Sequence, residues 1–360
     1  MRREKGAAVA RALRAAALAG LFGAAFPGES PAAQPPRGRL VVLNKSDNTA
    51  SIVDAATGQV VQTVPVGFGP HEAETLRGGR VVAVSNYGTR ERPGHTLTLL
   101  DLEDLAHART ITLPDGARPH GMKALSAERL LVTAEGLKEL LVVEPARGRV
   151  LSRIPLGREI SHMVVASPAG DRAYVANIGS GSVTVVDPVA GKVIAEIPTG
   201  AGAEGIDVRP GGVEIWVANR EANTVSVIDS AKLAVVATLL VPGYPIRLKF
   251  TPDGARVLVS CAKTGEVAVF DAASRREIRR IGIDREAVPG SADRLFSTRF
   301  NKSPVPVGLL VAPDGSRAWV ASSNADVVSV LDLGRLEVIG RITAGREPDG
   351  LAGAFAPAAR

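Results

Sequence analysis

The sequence repeats itself. Three stretches show it: Ala173-Tyr-Val-Ala-Asn-Ile-Gly-Ser-Gly-Ser-Val-Thr-Val-Val-Asp187, Glu214-Ile-Trp-Val-Ala-Asn-Arg-Glu-Ala-Asn-Thr-Val-Ser-Val-Ile-Asp229 and Arg317-Ala-Trp-Val-Ala-Ser-Ser-Asn-Ala-Asp-Val-Val-Ser-Val-Leu-Asp332. Each reads as a strand, a polar turn, an alternating strand and an acidic end. The acid recurs at Asp54, Asp101, Glu144, Asp187, Asp229, Asp271 and Asp332, in steps of 47, 43, 43, 42, 42 and 61. The residue closing the preceding strand recurs at Asn44, Asn86, Ala134, Asn177, Asn219, Cys261 and Ser322. A third element, such as Gly200 to Pro210, lies between copies, and a fourth strand such as Lys192 to Pro198 precedes it. Four strands per roughly 42 residues, seven times over, is the period of a propeller blade. The prediction is an all-β chain: a seven-bladed β-propeller of four-stranded antiparallel blades. With only 4% aromatics and 38 Gly, the composition suits short strands and tight turns.

Chain order also predicts how the ring closes. The repeat begins at the second strand of a blade, Leu40 to Asn44. The first strand of that blade must then come from the other end of the chain, Asp349 to Pro357, which leaves no open sheet edge.

Tyr174-Val-Ala-Asn177, Trp216-Val-Ala-Asn219 and Trp319-Val-Ala-Ser322, each followed by a Val-rich strand ending in Asp, resemble the YVTN-type repeat. The turns Pro252-Asp-Gly254 and Pro313-Asp-Gly315 belong to the same pattern. The chain resembles the exported seven-bladed YncE-like propellers over nearly all of residues 39–357. It departs from them at Leu131-Val-Thr-Ala134, which lacks the Asn, and at one insertion. The resemblance implies a fold more than a function, because such propellers serve as binding modules, as enzyme subunits and as lyase or lactonase scaffolds.

Residues 1–36 read differently from the repeat. Residues 1–14 are basic, Ala15 to Phe26 is an unbroken run of apolar residues and Gly, and Pro27 stops it; Pro31-Ala-Ala-Gln-Pro-Pro36 follows. That is the layout of a secretory signal, cleaved somewhere in about 25–36. A periplasmic or secreted protein is expected, with one propeller domain over 37–360. Twelve apolar residues are too few to span a bilayer comfortably, so no transmembrane segment is expected in the mature protein, and a monomer is expected. Residues 1–38 hold six of the 43 Lys and Arg and two of the 37 Asp and Glu, so +4 of the net charge of +6 sits there. The resemblance to YncE-like proteins also implies nucleic-acid binding, the weakest of the readings because the near-neutral remainder argues against such a partner. A single Cys excludes a disulfide framework and multi-Cys metal sites.

The third element of each copy opens at His71, His120, His162, Glu204, Ile246, Val307 and Asp349. By resemblance to known propellers, this register lines one mouth of the axial channel. Three of the five His in the chain fall in it, in consecutive blades. Three imidazoles and the Glu204 carboxylate are a donor set for one divalent transition metal, Zn, Cu, Fe or Ni. His71, His120 and His162 are then the expected ligands. Glu204 is the expected fourth ligand, or the general base of a metal-dependent hydrolase or lyase. A wet, polar channel mouth in which these groups hydrogen-bond to water fits the same register. The other reading is a binding module for a protein, a cell-envelope component or a small molecule on this face.

Neighbouring residues extend the candidate site. Glu72 follows His71, Arg118 precedes His120, Arg247 follows Ile246, and Asp349 closes the register; Arg suits planar anions. An insertion spanning about 283–306, which lengthens its repeat by 19 residues, is expected on the same face and carries Arg285, Arg294, Phe296, Arg299, Phe300, Asn301 and Lys302. A second enlargement, Tyr87 to His95, is expected to carry His95 toward the mouth. Trp216, Trp319 and Tyr174 share one register and are expected to pack between blades. The Asn side chains at 44, 86, 177 and 219 are expected to brace turns through Asx-type bonds. Cys261 is expected as a buried structural thiol. No nucleophile elbow, P-loop, dinucleotide fingerprint or haem-attachment motif is present.

Overall fold

Alternating Val-rich segments bounded by Gly, Asn and Asp turns build strands of five to nine residues in the computed structural model. It describes residues 35–76, 78–283, 294, 296, 298–300 and 302–356. The expected signal segment lies outside these, apart from its last residues, as do Arg285 and Asn301 of the insertion. Among the described residues no helix is long and apolar enough to cross a membrane.

Among the described residues, twenty-eight strands form seven four-stranded antiparallel sheets. Seven inner strands make the ring: β28 (Pro348–Phe355), β4 (Pro70–Thr75), β8 (Pro119–Ala124), β12 (Ser161–Ala166), β16 (Ala203–Val208), β20 (Pro245–Phe250) and β24 (Pro306–Val311). Each touches the next, and β24 touches β28, so the circle closes. Closure is as predicted: β28 pairs with β1 (Gly38–Asn44), Gly38 opposite Phe355, in a blade completed by β2 (Thr49–Asp54) and β3 (Val60–Pro65).

Blades are held to each other by buried side chains. Trp216 and Trp319 are fully buried and Tyr174 nearly so. Trp216 packs edge-on against Phe250 and Phe270 of the next blade, and Trp319 stacks on Phe355 of the closing strand, as their shared register predicts. Cys261 is buried, and burial pushes its thiol up to about 11, consistent with an inert structural role. The Asn side chains behave otherwise than expected. Asn44, Asn86, Asn177 and Asn219 are buried, and their Nδ2 groups donate across to two hydroxyls on the next strand, for Asn219 those of Thr224 and Ser226 at 3.0 and 2.9 Å. Full burial explains the difference, because an amide without water must find partners inside the blade.

Two backbone features set the mouth. In every blade the residue two positions before the mouth register has a positive φ: Gly69, Arg118, Ile160, Gly202, Tyr244, Val305 and Glu347, between 47° and 77°. Its carbonyl accepts the N–H of the residue following the Asn slot: Tyr87, Glu135, Ile178, Arg220, Ala262, Ser323 and Lys45, at 3.0–3.3 Å. A second ring of side chains is thereby clamped beside the first. Close approach of inner strands is the other feature. A Cβ on Gly121 would lie 2.6 Å from the His162 carbonyl, and one on Gly350 would lie 2.4 Å from the His71 carbonyl. Glycine at those positions lets neighbouring inner strands draw their mouth residues together. Thr133 holds the first contact, accepting from Gly121 N and donating to the His162 carbonyl at 2.6 Å.

Candidate functional site

His71, His120 and His162 converge at the channel mouth. Ring centroids are 4.2 Å apart for His71 and His120 and 3.5 Å for His120 and His162. All three are buried, His120 completely. Burial first, then the neighbouring cations, holds His71 and His120 well below the usual imidazole value, so both are neutral. Burial would lower His162 too, but the Glu135 and Glu204 carboxylates outweigh it and raise it.

A belt of charge surrounds the imidazoles. Lys45 Nζ is 3.6 Å from Asp349 Oδ2, which is 3.1 Å from His71 Nδ1. Arg247 bridges Glu72 and Glu204, donating to an oxygen of each at 2.6 Å. Arg220 donates to the other Glu204 oxygen, and His162 Nε2 lies 3.3 Å from Glu204. Glu135 bonds His162 Nδ1 with one oxygen and accepts from Tyr87 Oη at 2.6 Å with the other. Burial raises Asp349 to about 7, against the pull of Lys45. Burial would also raise Glu204, but Arg220, His162 and Arg247 hold it well below the usual carboxylate range.

Of the residues singled out in the sequence, the structure therefore brings together His71, His120, His162, Glu204, Glu72, Arg247 and Asp349. Ile246 and Val307, in the same register, pack with Tyr244, Val305 and Phe300 of the insertion into an apolar block. The mouth thus has a polar half and an apolar half. Arg299 is set apart: half exposed, it pairs with Glu221 at 3.1 Å and lies over Tyr244. Arg118 lies over the Tyr87 ring, 4.3 Å from its centroid. His95 is exposed, 4.0 Å from Asp115, and is not part of the cluster.

Four residues of the site escaped the sequence reading: Glu135, Tyr87, Lys45 and Arg220. All belong to the ring immediately after the Asn slot. That register was legible, and reading one position past Asn44, Asn86, Ala134 and Asn219 finds all four.

The donor set bears on a metal in a different way from the one anticipated. Two trios offer ligand atoms within 4.8 Å of one another: His71, Glu72 and His120, and His120, Glu135 and His162. His120 is common to both, whereas Glu204 is in neither and has both oxygens engaged by guanidinium groups. Among the described residues neither ring nitrogen of His120 has a hydrogen-bond partner. Leaving a buried polar group unpaired costs roughly 1–3 kcal/mol, so this imidazole fits a site that supplies it a partner. His162 has a carboxylate at each nitrogen, Glu135 on Nδ1 and Glu204 3.3 Å from Nε2, whereas His71 Nδ1, 3.1 Å from Asp349, makes no hydrogen bond and is a second buried nitrogen without a partner.

Fold and site together define a closed seven-bladed propeller with a histidine-lined channel mouth. The YncE-like beta-propeller family model matches residues 160–291. That match spans a little over a third of the chain, so within the closed ring of seven blades the chain is similar to YncE-like propellers there. Among solved structures it is similar to Kuenenia stuttgartiensis hydrazine synthase, with 18% identity and a TM-score of 0.65 over 78% of this chain and 88% of that one. A functionally unknown protein from Desulfotomaculum acetoxidans DSM 771 aligns at 14% identity and a TM-score of 0.71, over 88% and 98% of the two chains. The dihydro-heme d1 dehydrogenase NirN in complex with DHE aligns at 17% and 0.60, over 91% and 78%. At these identities the likeness is one of fold. No curated protein matches the chain.

Proposed function

We propose that this propeller is a binding module whose channel mouth holds one divalent transition metal. His71, His120 and His162 would supply the nitrogen donors, and Glu72 and Glu135 are the carboxylates placed to join them. The observation that carries the reading is His120, buried between two imidazoles with both ring nitrogens unpartnered. A bound ion of this kind would act as a Lewis acid or tether a further ligand at an open position. The neutral state of His71 and His120 suits them as ligands, because only the unprotonated imidazole binds a metal, and His162, raised by Glu135 and Glu204, would release its proton on joining them. Binding is favoured over hydrolysis because Glu204, the expected base, is held by Arg220 and Arg247 and has little basicity to offer. The secretory layout of residues 1–36 would place this binding outside the cytoplasm.

Elemental analysis of untagged protein, as purified and after reconstitution with Zn2+, Cu2+, Ni2+ or Fe2+, tests the reading. About one equivalent in the wild type and none in a folded His71→Ala/His120→Ala/His162→Ala variant is the expected result. No metal in reconstituted wild type, or full metal in the variant, overturns it.

A further inference from the structure

A second site adjoins the histidine cluster. A cleft of about 530 Å3 opens on the same face, lined in part by Lys45, Phe68, Tyr87, Arg90, Arg118 and Phe296. That volume falls within the ~300–1,000 Å3 of small-molecule sites. Its cations are unequally satisfied. Lys45 lies near Asp349, and Arg294, also on the wall, grips Asp326 with two bonds of 2.6 and 2.7 Å. Among the described residues Arg118 and Arg90 form no ion pair, and the buried Arg118 Nε has no hydrogen-bond partner. The acidic group on the wall, Glu347, accepts from Ser46 Oγ at 2.7 Å. Set against the Glu347 carboxylate, Arg118 and Arg90 leave the wall one net positive charge.

Its apolar surface is aromatic. Phe68 lines one part, with Arg92 4.8 Å from its ring centroid, and Phe296 of the insertion lines another. Tyr87, under the Arg118 guanidinium, presents its edge to His71 and His120, with ring centroids 5.3 and 5.4 Å away. One side chain thus belongs to both the cleft and the metal site. An unpaired guanidinium suits the two oxygens of a planar carboxylate, and flanking rings suit a flat apolar body.

We infer that the cleft binds a planar aromatic carboxylate, with the carboxylate on Arg118 and the ring between Phe68 and Phe296, at the entrance to the histidine cluster. This goes beyond the metal reading and does not depend on it. Titration calorimetry with benzoate, acetate and inorganic phosphate tests it on the full chain, in chelator-treated protein and again in the triple His variant. Benzoate is expected to bind at least tenfold more tightly than acetate or phosphate, equally in both preparations. Arg118→Gln should weaken benzoate at least tenfold, and Phe296→Ala at least threefold. Should Arg118→Gln fail to fold, Phe296→Ala decides alone, since Phe296 lies in the insertion and outside the blades. Equal affinity for benzoate and acetate, unchanged benzoate binding in the folded variants, or benzoate binding that requires metal overturns the inference. A failed metal analysis leaves this test standing, and a failed benzoate titration leaves the metal analysis standing.

Discussion

Replacing Arg247 with Met removes a cation that touches both Glu72 and Glu204 at 2.6 Å, in a position where the arginine is only 6% exposed. Met keeps most of the stem volume, so the loss is chiefly electrostatic. Breaking a buried ion pair by deleting one partner costs about 3–5 kcal/mol, because a charge is left uncompensated. Glu204 keeps Arg220 and His162, so the cost falls mainly on Glu72, and the lower end, about 3 kcal/mol at pH 7, is expected. Urea unfolding measures it, with the fluorescence of the buried Trp216 and Trp319 as the signal. The pH dependence has a definite sign. Glu204 is held below its unfolded value, so its ionised form contributes stability above about pH 4.3 that is lost as pH falls through the folded value. Arg247 is one cause of that depression, and Arg220 and His162 remain in the variant, so the gap between wild type and variant should be largest at pH 7, persist through pH 4 and shrink only toward about pH 2. Adding Glu72→Gln to Arg247→Met should restore at least about 1 kcal/mol. A loss under 1 kcal/mol at pH 7, or the same loss at pH 7 and at about pH 2, would refute the account of the belt as a charged, desolvated network.

Two further outcomes follow from the geometry. Ile160 is exposed at a φ of 53°, where a β-branched residue is strained, so Ile160→Asn should raise unfolding stability by about 1 kcal/mol; a decrease in the urea midpoint would contradict it. His162 is raised by Glu135 and Glu204, so its contribution is fully present below about pH 6.5 and is lost as pH rises through its folded value. Glu135→Gln should therefore destabilise by about 1–3 kcal/mol at pH 6 and by less at pH 9, and urea melts showing no such narrowing would count against a charged His162.

Much of the fold is written in the strand period. Copies every 42 residues can bury their faces only against neighbouring copies, and seven of them starting at a second strand have one economical closure, with β28 paired to β1. The mouth register was legible for the same reason: one position per repeat must lie at one height on the axis. Once resemblance to known propellers set that register at the channel mouth, spacing placed His71, His120 and His162 side by side. Residues on the second ring were equally periodic, but Lys45, Tyr87, Glu135 and Arg220 differ in type and so carried no visible motif.

What the amino-acid sequence determined by itself is the ring, its closure, the packing role of Trp216, Trp319 and Tyr174, and the height at which the histidines meet. Tertiary structure alone decided which charges they meet. Glu204 was a reasonable ligand by register, yet it faces Arg220 and Arg247, while Glu135, contributed by a different strand position, reaches His162. Only Gly69 and Gly202 among the seven positive-φ positions are glycine, and five of the seven precede proline, which favours an extended backbone. The bend at Arg118, Ile160 or Val305 is therefore imposed by the ring and by the N–H received from the next turn. The physical reason is range. Periodicity is local and survives as a pattern, whereas partner choice among buried charges turns on contacts of about 3 Å between blades, where low dielectric makes each pairing strong.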